Sequence, residues 1–315
     1  MSNILTSKQA AAMLQATDDI LILCHNYPDG DTLGSGFGLC RALRSLGKRA
    51  RVACADPIPE KYHYMWAGLP TEEFEPAFIC AVDVADPKLL GSLSDLADRV
   101  ELCIDHHGTN TRYAKNLRLE SAPAAAMLVY EVIGELGVPM TAEIAACIYT
   151  GVATDTGCFK FANTNPAAHR AAAELMAYDF GAEDINYAMF DLKSRARIEL
   201  ERQALAGMGF YLEGRCAVIT ITRDMVTATG ALEDDMEGLS PIPRQIEGVW
   251  AGVTLRERAD GSYKVSVRTG HHVNAATVCA RLGGGGHTRA AGCTLTGTRE
   301  SVIKEVIETI EGQIM

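Results

Sequence analysis

The sequence predicts an α/β protein of two domains, a parallel sheet flanked by helices followed by a smaller α+β unit, on three observations. Four short runs at 20–25, 50–55, 78–84 and 100–104 are almost continuously apolar, as parallel strands covered on both faces require. Between the first two, 34–46 carries apolar residues at helical spacing and stops at Gly47, a residue suited to the left-handed end of a helix. Strand, helix and strand in succession imply a crossover and therefore a parallel sheet. A new strand pattern then starts near residue 200, after a charged stretch at 193–202.

The remaining elements follow in order. Beyond Asp105 the pattern reads as helical: 122–136 stops at Gly137, 141–154 is alanine-rich, and 165–178 opens with Asn165-Pro166, a cap and first-turn pair. Helical periodicity continues through 182–194 and 196–210. In the last third 215–222 is a strand, and 248–258 pairs with 263–269 across Ala259-Asp260-Gly261-Ser262. A helix over 274–282, the glycine run Gly283–Gly286, a strand at 293–295 and a helix over 299–315 complete the chain. The expected boundaries are 1–192 for the first domain, 193–204 for a helical connector and 205–315 for the second domain.

Composition narrows the function. With 315 residues, 48% of them hydrophobic, the chain has apolar material for two cores. No apolar run approaches the about 20 residues that cross a membrane, and Met1-Ser2-Asn3 does not open a leader, so a cytoplasmic protein without membrane contact is expected. The ten cysteines include no C-x-x-C pair, and Cys24, Cys80, Cys103, Cys147 and Cys216 sit in apolar runs; they read as buried hydrophobes of a reducing compartment. A net charge of −11 excludes a protein that coats long duplex nucleic acid, which would need many Lys and Arg. Short polyanions remain open, because carboxylates that hold divalent cations are offset by them.

Polar residues cluster where the apolar runs end, the edge at which open parallel sheets place ligands. The first run enters His25-Asn26-Tyr27-Pro28-Asp29-Gly30-Asp31, stiffened by Pro28 and bent at Gly30, with a helix expected to open at about Gly34-Ser35. Asp83 ends the third run and Asp105-His106-His107 the fourth. Asp155 follows 141–154 beside Gly157 and reads equally as a helix-end residue or a ligand. So many carboxylates in one crevice would have to protonate unless cations compensate them.

These residues carry a resemblance. His25-x-x-Pro28-Asp29-x-Asp31, Asp83, Asp105-His106-His107 and the Asp155 turn resemble the four ordered motifs of the DHH phosphoesterase superfamily, and Gly283-Gly284-Gly285-Gly286-His287 resembles the glycine-rich His motif of its DHHA1 subfamily. The two-domain layout is similar to the NrnA-type oligoribonucleases, which also act on 3′-phosphoadenosine 5′-phosphate. Asp105-His106-His107-Gly108-x-Asn110 and Thr154-Asp155-Thr156-Gly157-x-Phe159-Lys160-Phe161-x-Asn163-Thr164 fit their signatures, except that Lys160 stands where relatives often carry arginine.

The resemblance implies hydrolysis of short oligoribonucleotides to mononucleotides, and of 3′-phosphoadenosine 5′-phosphate to AMP, by water activated between two metal ions. It assigns one ion to His25, Asp29 and Asp83 and the other to Asp31, Asp83, His106 and Asp155, with Asp83 bridging. Mixed imidazole and carboxylate ligands favour Mn²⁺ and are compatible with Mg²⁺, Co²⁺ or Fe²⁺. His107 and Asp105 are the expected catalytic residues, His107 either acting on protons at the scissile phosphate or orienting Asp105. Arg268, the backbone N–H groups of Gly284, Gly285 and Gly286, and His287 would hold a terminal phosphate across a cleft between the domains, with Asn110 and Arg112 as further substrate contacts.

His271-His272 fit either that cleft or a solvated turn, and Trp66 and Trp250 fit base stacking less well than core packing. A homodimer is implied by the resemblance alone. The nearest rival function is a phosphodiesterase of cyclic or linear dinucleotides on the same scaffold. A nucleotide-binding regulator that hydrolyses nothing is the rival from another class.

Overall fold

Every apolar run of the first half becomes a strand of one parallel sheet. The computed structural model describes residues 2–236 and 238–314, and the chain divides into two units, Met1–Leu192 and Lys193–Met315. In the first unit β1 (Asn3–Ile4), β2 (Ile20–Leu23), β3 (Ala50–Ala53), β4 (Phe78–Val82), β5 (Val100–Asp105) and β6 (Asn116–Leu119) lie in the order β1-β6-β5-β4-β2-β3. All pairings are parallel.

Alternation along the strands divides the core in two. Ile20, Ile22, Cys80, Val82, Leu102 and Ile104 face a thick layer of helices. Leu21, Leu23, Ile79, Ala81 and Cys103 face a thinner cover that includes Leu90, Leu93 and Leu96, from the 3-10 segment Pro87–Arg99. Strands buried on both sides account for the unbroken apolar runs.

The helical layer comprises α1 (Ser7–Gln15), α2 (Gly30–Ser45), α3 (Ala125–Leu136), α4 (Ala142–Asp155), α5 (Pro166–Met176) and the short α6 (Ala182–Asn186). Thr6 and Gln9 close a capping box on α1, while Thr141 caps α4 and Asn165 caps α5. Gly30, Gly34 and Gly38 recur every four residues along α2 and face α4. A Cβ at Gly34 would stand 2.3 Å from the Cys147 carbonyl oxygen, and one at Gly30 would stand 2.4 Å from Thr154 Oγ1. The two backbones therefore touch, which brings the start of α2 against the end of α4.

Four expectations are corrected. α2 opens at Gly30, four residues before the expected start, because Asp29 caps it by accepting hydrogen bonds from the N–H groups of Asp31 and Thr32. The segment after Asp105 is not wholly helical: Asn116–Leu119 extends the sheet beside β5 and receives β1 on its other side. The 182–194 helix is cut to α6 and a π-helical turn, Tyr187–Asp191, before extended Leu192. The 196–210 helix ends at Ala206, and Gly209–Tyr211 is a strand.

In the second unit α7 (Arg195–Ala206), β7 (Gly209–Tyr211), β8 (Cys216–Ile221), α8 (Arg223–Thr229), α9 (Glu233–Met236), β9 (Ala251–Glu257), β10 (Ser262–Thr269), α10 (Ala275–Arg281), β11 (Gly285–His287), β12 (Ala290–Thr296) and α11 (Arg299–Ile314) follow in sequence. Its sheet runs β11-β12-β10-β9-β8-β7, antiparallel except for the β8–β9 pair. Val265 and Val267 pack with Val278, Cys279, Val302 and Val306 of α10 and α11. Ile219 and Ile221 pack with Leu200 and Ala204 of α7, so the charged stretch expected as a connector contains a helix seated on the second sheet. No helix among the described residues is long and apolar enough to cross a membrane.

Candidate metal centre

Three neighbouring strands, β5, β4 and β2, end side by side and deliver their next residues to one crevice. From β2 the chain enters His25 to Asp31, from β4 it enters Asp83, and β5 ends in Asp105 before His106 and His107. Asp83 turns into a left-handed conformation (φ 57°) while its N–H donates to the Ile104 carbonyl at 2.9 Å. This conformation costs a non-glycine residue on the order of 1 kcal/mol and recurs at functional sites.

Two imidazoles are aimed alike. His25 Nδ1 lies 2.7 Å from the Asn26 carbonyl, and His106 Nδ1 lies 2.9 Å from the Ala122 carbonyl. A ring fixed through Nδ1 presents Nε2, the arrangement typical of metal-binding histidines. His25 Nε2 stands 3.6 Å from Asp29 Oδ1 and 3.5 Å from Asp83 Oδ2. His106 Nε2 stands 3.5 Å from Asp83 Oδ1, 3.8 Å from Asp155 Oδ2 and 3.9 Å from Asp31 Oδ2. Three groups thus offer ligand atoms within 4.8 Å of one another: His25, Asp29 and Asp83; Asp31, His106 and Asp155; and Asp83, His106 and His107.

These separations exceed hydrogen-bond length and suit donors spread about a cation at roughly 2.0–2.2 Å from each. Asp83, 3% exposed, has its Oδ1 buried with no hydrogen-bond partner. Such an orphaned carboxylate oxygen is costly unless a positive charge satisfies it. The donors present therefore fit divalent ions.

Asp31 has a second task. Its oxygens accept hydrogen bonds from the N–H groups of Ala125 at 2.7 Å and Ala126 at 2.9 Å, so it caps α3, whose own cap residue Ala124 offers no side-chain bond. Oδ1 also accepts from the Ser35 hydroxyl at 3.4 Å, while Oδ2, which accepts only from Ala125, keeps a lone pair for the crevice. Asp155 ends α4, and the chain then passes through three left-handed residues, Gly157, Cys158 and Phe159.

The charges shift one another. Burial, reinforced by the Asp83 and Asp155 carboxylates, pushes Asp31 well above the ordinary carboxylate range. Burial likewise lifts Asp155 to about 6, although His106 opposes it. Burial would depress His25, but Asp29 and Asp83 outweigh it and push the imidazolium up to about 11. His106 rises to about 10 in the same way, with burial overcome by Asp83 and Asp31. The cluster thus contains more negative charge than two histidines can neutralise.

His107 stands apart. Its Nδ1 is 2.8 Å from Asp105 Oδ1, and this bond holds the imidazolium above its usual range. Asp105 is fully buried; burial raises its pKa, but the bonds from His107 and Asn110 bring it below the ordinary value. Asn110 Nδ2 donates to Asp105 Oδ2 at 2.6 Å, and Asn110 Oδ1 accepts the Arg112 N–H at 2.7 Å. Asn110, expected to touch substrate, instead spends both ends of its amide inside the loop. Arg112 is exposed, as is Lys160.

Arg268, Gly284–Gly286 and His287 all lie in the second unit. Arg268 on β10 pairs with Ala290, which also pairs with His287 on β11. The expected phosphate-wrapping glycine loop is reshaped: the N–H groups of Gly283 and Gly284 donate to the Ala280 and Cys279 carbonyls, closing α10, and Gly285 and Gly286 form an edge strand. Gly284 and Gly286 are needed for close packing, since a Cβ there would stand 2.2 Å from the Gly292 oxygen and 2.6 Å from Ala291 Cα. His287 is exposed, Trp250 stacks on His272 at 4.2 Å, and Trp66 packs near Phe37 at 5.7 Å.

Sequence reading missed the α2–α4 glycine face, the α3 cap and the two carbonyls that aim the histidines. The glycines left a legible signal in their four-residue spacing. The carbonyl contacts left none, because backbone acceptors carry no residue signature.

The chain matches the DHH family, N-terminal domain, over residues 19–152 and the DHHA1 domain over 224–315. It is 35% identical over 313 residues, covering 96% of this chain and 93% of the relative, to the bifunctional oligoribonuclease and PAP phosphatase NrnA of Thermus thermophilus. The protein of that name from Bacillus subtilis is 26% identical, with 88% of this chain and 90% of the relative covered. Among solved structures, an exopolyphosphatase-related protein from Bacteroides fragilis superposes with a TM-score of 0.87 at 26% identity, covering 97% of this chain and 95% of the other.

Proposed function

This chain belongs to the DHH family and carries its DHHA1 domain, and from that premise we propose that it is a metal-dependent phosphoesterase. Its substrates are short oligoribonucleotides, cleaved to mononucleotides, and 3′-phosphoadenosine 5′-phosphate, converted to AMP. The observation that carries this reading is Asp83: a buried carboxylate whose Oδ1 has no hydrogen-bond partner, with the Nε2 of His25 3.5 Å from Oδ2 and the Nε2 of His106 3.5 Å from Oδ1.

His25, Asp29 and Asp83 would hold one divalent ion, and Asp31, Asp83, His106 and Asp155 a second, with Mn²⁺ the best match to these donors. When bound, such a pair supplies Lewis acidity toward phosphoryl oxygens and makes water more acidic. Asp29 and Asp31 carry out their part from a rigid base, the first turn of α2 locked against α4. His107 is the proton donor toward the departing oxygen, kept charged by Asp105. Asp105 and Asn110 are positioning residues that fix the His107 ring through hydrogen bonds of 2.8 and 2.6 Å.

The test is a product time course in Mn²⁺ on labelled oligoribonucleotides of two to about twenty residues, run beside 3′-phosphoadenosine 5′-phosphate and a cyclic dinucleotide. Rapid turnover of the shortest linear substrates, falling with length, is expected. Turnover confined to the cyclic dinucleotide would replace this reading with the phosphodiesterase one. Tight nucleotide binding without product would mark a regulator.

A further inference from the structure

Two phenylalanines of the loop after α4 are treated in opposite ways. Beyond Asp155 the chain passes through Gly157, Cys158 and Phe159 at φ 56°, 55° and 61°, a left-handed run that the two non-glycine residues enter only at a cost. Phe159 turns inward, packs against the core of the first unit and stacks on His169 at 5.2 Å. Phe161 turns outward and is 59% exposed.

The outward ring is nevertheless held. A Cβ on Gly157 would stand 2.4 Å from Phe161 Cζ, 2.5 Å from Cε1 and 2.6 Å from Cε2. Distances so nearly equal put that position over the face of the ring, because a point beyond its edge would lie far closer to Cζ than to the two Cε atoms. Gly157 is thus the floor on which one face of Phe161 rests, and the opposite face is the open one. The backbone beneath is tied down. The N–H groups of Lys160 and Phe161 both donate to the Thr156 carbonyl at 3.0 Å. The Asn163 amide donates to the Asp155 carbonyl at 3.0 Å and to the Pro123 carbonyl at 2.9 Å.

These bonds tether the ring beside Asp155 and, through Pro123, near the start of α3, which Asp31 caps. A single exposed apolar side chain is ordinary. An aromatic face that a strained loop holds open beside two ligands proposed for one ion is a surface prepared for a flat partner. Its place narrows that partner: what reaches the ring is joined to the phosphate that reaches the ion. A nucleobase has the required flat face, and stacking accepts every base because each has one.

We propose that Phe161 is a specificity residue of the first unit, a stacking platform for one of the two nucleobases that flank the scissile phosphate. The inference deepens the function proposed above and takes the nature of the substrate from it. Gly157 makes the platform by leaving bare the backbone on which the ring lies.

The experiment measures steady-state kinetics of the full chain in Mn²⁺ on a linear dinucleotide and on the two analogues that lack one or the other base. In the wild type, loss of the stacked base should raise KM by about fivefold or more, the lower end for one base on an aromatic ring. Phe161→Leu, which stays apolar but has no flat face, should raise KM for the intact dinucleotide by a similar factor and leave kcat near the wild-type value. It should no longer distinguish the intact dinucleotide from that one analogue, and Phe161→Tyr should behave as the wild type. A merely structural ring would make Phe161→Leu lose equally on all three substrates; that result, or a Phe161→Leu variant that still discriminates as the wild type does, overturns the proposal. If the wild type cleaves none of the three, the proposed function fails, and equilibrium dialysis of the same compounds in Mn²⁺ decides the platform. Tighter wild-type binding of the intact dinucleotide that is lost in Phe161→Leu then supports it, and equal binding by the two proteins overturns it.

Discussion

The first unit crowds carboxylates that its own cations do not balance, whereas the second carries as many carboxylates as basic side chains and still leaves one buried guanidinium nitrogen unsatisfied. In the first, Asp31, Asp83 and Asp155 converge on His106 at 3.5 to 3.9 Å. In the second, Arg244 lies against Gly252 and Gly270 with its Nε unsatisfied. A folded chain usually pairs its buried charges internally. Where it does not, the missing counter-charge is the best description of the ligand, and for the first unit it is cationic.

The largest expected effect separates the two. Asp83→Asn should lower kcat for a dinucleotide by more than about a hundredfold, beyond the range typical of outer residues around a metal. Arg268→Met, at the phosphate contact that the resemblance implies, should leave kcat near the wild-type value and raise KM. Steady-state kinetics on both variants measures the split; equal losses of kcat would erase the distinction between a reacting site and a gripping site.

Within the first unit the contrast sharpens around His107. Replacement by Asn should lower kcat by about 10²–10⁴-fold, as for a lost general acid. Asn110→Ala, which frees Asp105 and the Arg112 N–H but touches no proposed ligand of the metals, should cost about 10–100-fold. Because Asp105 raises the His107 pKa above 6.5, activity should fall as pH climbs through that raised value. This alkaline limb should vanish in His107→Asn, and a pH–rate profile that keeps it would assign the limb to another group.

The smallest effect is on stability. Burial raises the Asp155 carboxyl from 3.8 to about 6, so the folded, metal-free chain holds that proton more firmly than the unfolded chain does. Metal-free stability therefore falls as pH rises from 3.8 through about 6 and levels off above. Asp155→Asn removes this loss and should raise Tm in EDTA above that range by roughly 2–4 °C, while lowering it in Mn²⁺. Thermal scans in both media check the reversal of sign, and a fall in both would make Asp155 structural.

The proton balance of the crevice agrees with its chemistry. His25 and His106, raised to about 11 and about 10, are protonated near neutrality in the metal-free protein and must lose those protons to coordinate a cation.

Much of this was legible in the chain alone. Each apolar run stops at a carboxylate or imidazole, and a parallel sheet places every strand end on one edge, so the spacing of His25, Asp83 and Asp105 already implied a common crevice. Harder to see was β6, whose four residues, Asn-Leu-Arg-Leu, are too short and too polar to mark a strand. Its place is set by Asn3 and Leu102, far off in sequence, which pair with Asn116 from either side.

What the residues determined by themselves is the identity and order of the groups that face the crevice, because strand direction and residue type are local properties of a chain. Tertiary structure decided how several are used: Asp31 caps α3, the Ala122 carbonyl aims His106, and Gly34 seats the start of α2 against Cys147 of α4. Those roles come from contacts between elements remote in sequence, where close packing and the absence of a Cβ select a partner that no local pattern announces.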